Sequence, residues 1–144
     1  MKKLYALLIL ILIGCQPKLI TPITSQLSKV WKANTVKEGD VLVFTLGASN
    51  NIKPGYTGYR LDLSQVDKAT LKDIDGRLLT GTWRVSTDNK RLILDNLVPK
   101  PTKTSGLIEF TILNTPDGSS LNLQRLDESR KTGNTLNQYG LIPE

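Results

Sequence analysis

The chain contains no histidine, one cysteine and one methionine in 144 residues. Without histidine there is no Ser-His-Asp or Cys-His catalysis, no imidazole base near neutral pH and no His-ligated zinc. One cysteine excludes an intramolecular disulfide, so packing alone must hold the fold. No apolar run reaches the roughly 20 residues that a membrane-spanning helix needs. Gly-x-Ser-x-Gly and phosphate-loop patterns are missing as well. Aromatic residues make up only 6% of the chain, so the position of each one carries weight.

The one apolar run lies at the start. Lys2 and Lys3 precede an apolar stretch from Leu4 to Gly14, with Cys15 directly after it. This is the layout of a secretory signal, a basic head followed by a short apolar core. Gln16 and Pro17 end the run abruptly. Residues 1–14 are therefore expected to be a signal peptide. Residues 15–26, with Pro17, Pro22 and several Thr, Ser and Gln, are expected to be a tether, with a helical turn around Ser25 to Lys29.

From Val30 the pattern alternates. Tyr59, Leu61 and Leu63 fall on one face of "YRLDLS", and Trp83 and Val85 on one face of "TWRVST". A period of two marks strands with one wet face. "VLVFTL" (41–46) and "LIEFTIL" (107–113) are more apolar, which suggests cover on both sides. "VWKANTV" (30–36), "ATLKDI" (69–74), "RLILDNL" (91–97) and "SLNLQRL" (120–126) complete eight short strands. "KEGD", "DG" at 75–76, "TDNK" and "TPDGS" supply the turns. The fold class expected is all-β, an antiparallel barrel or half-barrel of about eight strands over residues 27–126. Residues 127–144, polar and rich in Asn, Gly and Thr, read as an irregular C-terminal tail.

The formal charge is +6. Loss of Lys2 and Lys3 with the signal would reduce it. The densest basic cluster, Lys90, Arg91, Lys100 and Lys103, reads as solvated loop charge, and nucleic acid is not expected as a partner. "DIDGRLLTGTWR" (73–84) begins like a calcium loop. It then places Arg77, Leu78 and Arg84 where a ligand, a glycine and a bidentate Glu are required. Asp75-Gly76 is thus a hairpin turn. Asp62, Asp95 and Glu109 sit on strands as outward residues. No catalytic residue, metal ligand or cofactor is assigned, and the chain is not read as an enzyme.

Two resemblances extend this reading. Leu12-Ile13-Gly14-Cys15 resembles a bacterial lipobox. The resemblance implies diacylglycerol on the Cys15 sulfur, cleavage before Cys15 and acylation of the new amine. Two or three acyl chains, at about 0.8 kcal/mol per buried CH₂, hold a membrane stably where one does not. "GTWRVSTDNKRLIL" (81–94), "LSKVWKANTV" (27–36) and "IEFTIL" with "SLNLQRL" resemble the lipocalin-like domains of Bacteroidota lipoproteins. That resemblance implies a small calyx-like barrel. Gln16 in place of Asp, and no acidic run after Cys15, imply the outer membrane with the barrel facing the periplasm.

The candidate barrel-lining residues are Trp31, Phe44, Tyr59, Trp83 and Phe110. An eight-stranded barrel is either filled by side chains or open to one small ligand. Trp31 and Trp83 read more simply as core, and Tyr56 and Tyr139 as loop residues. The expected function is binding of a small apolar molecule or lipid by a membrane-anchored barrel. The alternative is a structural or assembly accessory docking an envelope protein or glycan.

Overall fold

The computed structural model describes residues 20–144. The signal peptide, Cys15 and the first part of the tether lie outside the described residues.

Nine strands form. They are β1 (Val30–Glu38), β2 (Val41–Thr45), β3 (Arg60–Gln65), β4 (Lys68–Lys72), β5 (Leu78–Val85), β6 (Arg91–Val98), β7 (Ile108–Ile112), β8 (Leu121–Arg125) and β9 (Asn137–Pro143). Strands β3 to β9 pair in sequence, each antiparallel to its neighbour, and β9 returns to pair with β1 from Trp31 to Glu38. The other edge of β1 pairs with β3 over Val30–Lys32. Eight strands therefore close an antiparallel barrel, and β2 is an additional strand on the Thr35–Glu38 half of β1.

Alternation puts the apolar residues inside. Leu61 and Leu63 of β3, Ala69 and Leu71 of β4, Leu92 and Leu94 of β6, and Leu121 and Leu123 of β8 are all buried in one core. Each such leucine contributes about 1.5–3 kcal/mol on leaving water. Gly81 shows why the Gly-x-Trp spacing recurs on β5. A Cβ there would lie 2.3 Å from the Asp95 carbonyl oxygen. Only a glycine lets β6 approach this closely at the register shift between Thr80 and Thr82.

The two ends of the barrel differ. A short helix, α1 (Ile23–Leu27), sits across one of them. Trp31 is fully buried beneath it and donates its indole N–H to the Leu27 carbonyl at 2.9 Å. Lys29 reaches the Gly118 carbonyl at 2.7 Å, tying the helix exit to the β7–β8 turn. The helical turn expected around Ser25 to Lys29 forms slightly earlier, at Ile23–Leu27, and makes residues 23–26 of the expected tether a cap on the barrel. At the opposite end a 3₁₀ turn, Pro54–Gly58, precedes β3, and a second, Arg130–Thr132, precedes β9.

Two further expectations need correction, and the reading of the basic residues as solvated charge agrees with their exposure. Residues 127–144 are not an irregular tail throughout, because Asn137–Pro143 is the strand that closes the barrel. "VLVFTL" is not covered on both sides. It lies outside the ring, and Val41 and Leu42 remain 54% and 50% exposed. The basic residues Lys90 and Arg91 stand at one end of β6 and Lys100 and Lys103 beyond the other. A strand of 8 residues separates the pairs by about 25 Å, so the cluster exists only in the sequence.

The outer edge of β2 is clamped by its own loop. The Asn51 side chain accepts from the Thr45 amide at 2.7 Å and donates to the Thr45 carbonyl at 2.9 Å. The Lys53 amide donates to the Val43 carbonyl at 3.0 Å. The 47–58 loop therefore replaces the missing neighbour strand.

Candidate functional site: the open end of the barrel

Opposite α1 the barrel opens into a cavity of about 210 Å³. Its floor comes from inward positions at the ends of four strands: Leu71 of β4, Ile108 and Phe110 of β7, Arg125 of β8 and Tyr139 of β9, with Tyr59 just before β3. The Pro101–Leu107 loop and residues 127–131 form its rim.

Three aromatic rings meet here. Tyr59 and Tyr139 stack with centroids 5.1 Å apart and planes 14° apart. Phe110 meets Tyr139 edge-on at 6.0 Å. Such pairs add about 0.5–1.5 kcal/mol beyond area burial and fix the rings in place. Tyr56 adds to the same layer, 6.2 Å from Tyr59 and 6.3 Å from Tyr139. Its hydroxyl donates to Glu38 at 2.8 Å, and Lys53 also pairs with that carboxylate. Tyr56 is therefore a loop residue packed inward, a buried and satisfied support in the turn before β3.

Polar groups are arranged less completely. The Tyr139 hydroxyl accepts from the Asn137 amide at 3.3 Å, and Asn137 accepts from Thr135 at 2.6 Å. Lys131 bridges Asp73 at 2.7 Å and Asp75 at 2.8 Å, which ties the rim to the β4–β5 turn. Two buried polar atoms have no partner: the Tyr59 hydroxyl and the Nε of Arg125. Both residues line the cavity. Leaving a buried donor unmatched costs about 1–3 kcal/mol, and more for a charged group.

These surroundings hold the tyrosines protonated. Burial pushes Tyr59 well above the usual tyrosine value, Tyr139 and Asp73 add to the rise, and Arg125 opposes it. Burial raises Tyr139 to about 12, against the Asn137 hydrogen bond and Arg125. Tyr56 is raised by burial, then by Tyr139 and its bond to Glu38. At neutral pH all three hydroxyls can donate.

The five aromatic candidates separate. Tyr59 and Phe110 line the cavity. Trp31 fills the capped end, and Trp83 donates its indole N–H to the Gln65 carbonyl at 2.9 Å. Phe44 lies on β2, outside the ring, 6.1 Å from Tyr56. Sequence reasoning missed Tyr139 and Arg125. The signal for Arg125 was present, since Leu121, Leu123 and Arg125 share one strand face and a charge at a core position is unusual. The carboxylates Asp62, Asp95 and Glu109 do not converge. Asp62 bonds Ser64, Asp95 bonds the Asn96 amide, and Glu109 pairs with Arg91 at 3.2 Å. Among the described residues, no group of three or more metal-ligating acids, cysteines or histidines gathers, and no helix is long and apolar enough to cross a membrane.

No protein-family model matches this chain, and no curated protein does. Among solved structures it is similar to an uncharacterized protein from Bacteroides eggerthii. The two are 10% identical with a TM-score of 0.45, over 81% of this chain and 98% of that one.

Proposed function

We propose that this chain is a membrane-anchored, lipocalin-like binding protein that holds one small, largely apolar molecule in the open end of its barrel. The observation that carries the reading is the cavity of about 210 Å³ facing away from the capped end, with three aromatic rings in its floor and a polar rim. Its size matters. A drug-sized site takes roughly 300–1,000 Å³, so this one suits a single small molecule or one end of an acyl chain rather than a whole two-chain lipid.

Anchoring through lipidated Cys15 is supported by the lipobox-like residues Leu12 to Cys15. The chain enters the barrel through α1, at the capped end. The few residues between Cys15 and Ile20 reach no more than about 17 Å when extended. The capped end would then face the bilayer and the cavity would face away from it, open to the aqueous side. We place the protein at the outer membrane, facing the periplasm. Binding rather than catalysis is our reading, because the chain lacks histidine and its strand acids point to separate local partners.

Native mass spectrometry on the full chain, produced in a bacterium that processes lipoproteins and extracted in detergent, tests both halves. A denatured mass lacking residues 1–14 and carrying diacylglycerol and an acyl chain is expected. An unmodified Cys15 would end the anchoring proposal. A native mass above the denatured one, with a releasable small molecule, is expected for the barrel. A clean apo mass, with no uptake from an envelope lipid extract, would move the search to a docked protein or glycan.

A further inference from the structure

The cavity is not uniformly apolar. Its two unmatched buried atoms belong to a guanidinium, which only donates, and a phenol, whose hydroxyl can donate as well as accept. Arg125 carries a planar, delocalised guanidinium with five N–H donors and no acceptor. Among the described residues no carboxylate oxygen pairs with it: Asp73, the acid that shares the cavity floor, is held by Lys131 at 2.7 Å. Tyr59 is only 1% exposed, and its hydroxyl meets no acceptor of the protein. Both residues line the cavity, and a cation beside a neutral donor, each with one buried atom unmatched by the protein, complements one oxyanion. The guanidinium fork fits two oxygens of a carboxylate or phosphate at once. Beside them, Leu71, Ile108 and Phe110 offer an apolar wall.

We propose that the molecule held at the open end carries an acidic group, which sits between the Arg125 guanidinium and the Tyr59 hydroxyl, on a short apolar body that lies against Phe110. The inference rests on the ligand-binding reading above and narrows it from an apolar molecule to a small amphiphilic acid. About seven waters fill 210 Å³ at roughly 30 Å³ each. The space thus suits a ligand the size of a short-chain or aryl acid. The same arrangement explains a local conflict, since a half-buried arginine with its Nε unmatched weakens the free barrel and becomes useful only when an anion arrives.

Hexanoate, hexyl phosphate and the neutral hexanamide, titrated calorimetrically into the full chain in non-ionic detergent, provide the test. Detergent alone serves as the blank. At pH 7 and low salt, at least one of the two acids should bind tenfold or more tighter than the amide. The stronger of the two identifies the oxyanion as carboxylate or phosphate. Arg125→Met should remove that preference. Arg125→Lys, which keeps the charge and loses the fork, should retain part of it, and Tyr59→Phe should weaken the acid several-fold. If acids and amide bind equally and compete, the acid inference fails and the ligand-binding reading stands. If none of the three binds at millimolar concentration, both fail. Should Arg125→Met not fold, the wild-type comparison of acid with amide still decides.

Discussion

The two ends of the barrel are made from the same eight strands and solve opposite problems. At the α1 end the buried donors are matched: the Trp31 indole bonds Leu27, the Trp83 indole bonds Gln65, and Lys29 bonds Gly118. At the open end a guanidinium and a phenol are buried without one. A uniform ladder of backbone hydrogen bonds thus supports one end finished for stability and one end left incomplete. The incomplete end is the place to look for function, because an unmatched buried donor costs stability and gains nothing until something binds.

The largest effect should come from removing what both ends share. A chain ending at Leu126 lacks β9 and leaves β1 and β8 unpaired along their closing edges. It should show no cooperative unfolding transition by circular dichroism. Retention of a sharp transition would mean that closure is not what holds the ends together. Next comes the capped end alone. Trp31→Ala should lower stability by about 3–5 kcal/mol, measured by denaturant unfolding, since it removes a fully buried ring and leaves the Leu27 carbonyl bare.

The open end should respond to alkali. Tyr139 keeps its proton to about pH 12 in the fold, whereas an unfolded tyrosine loses it near 10. Below pH 10 both states are protonated and the full stability is present. Above it the unfolded state ionises first, so stability falls as pH rises from about 10 through 12. The loss for this one residue is on the order of 2–3 kcal/mol. Tyr139→Phe should flatten the fall, as followed by unfolding midpoints across that range. A steeper fall in the variant would contradict the assignment.

Smaller, and opposite in sign to Trp31→Ala, is Arg125→Met. Replacing a half-buried arginine whose Nε is unmatched with an apolar chain of similar length should raise stability by about 1 kcal/mol. A clear loss instead would show that the two ends are not different in kind. Smallest is Lys131→Ala on the rim. Its pairs with Asp73 and Asp75 are partly exposed, and their loss should cost about 0.5–1 kcal/mol in thermal unfolding.

Much of the ring was legible in the sequence because its strands keep a strict period of two. "YRLDLS" and "TWRVST" are β3 and the end of β5. β9 was missed although Asn137, Tyr139 and Leu141 alternate correctly, because Gly140 and Pro143 look like loop residues. Gly140 is there for space, since a Cβ would lie 2.4 Å from the Thr35 hydroxyl across the β1–β9 pair. The pairing that requires it joins opposite ends of the chain, and no local pattern announces it. The site divides in the same way. Tyr59 and Phe110 were visible as strand aromatics. Arg125 and Tyr139 gain their meaning only from neighbours on distant strands.

A closed ring has no free edge, but β2 lies outside the ring and reintroduces one. An exposed row of amides and carbonyls on an apolar strand invites a second chain to add itself, and repetition of that step builds a fibre. Val41 and Leu42 make β2 such a strand. Asn51 and Lys53 occupy the carbonyls of Thr45 and Val43 and the amide of Thr45. The loop that covers this edge thereby gives those groups partners of their own, so they are not offered to a second chain.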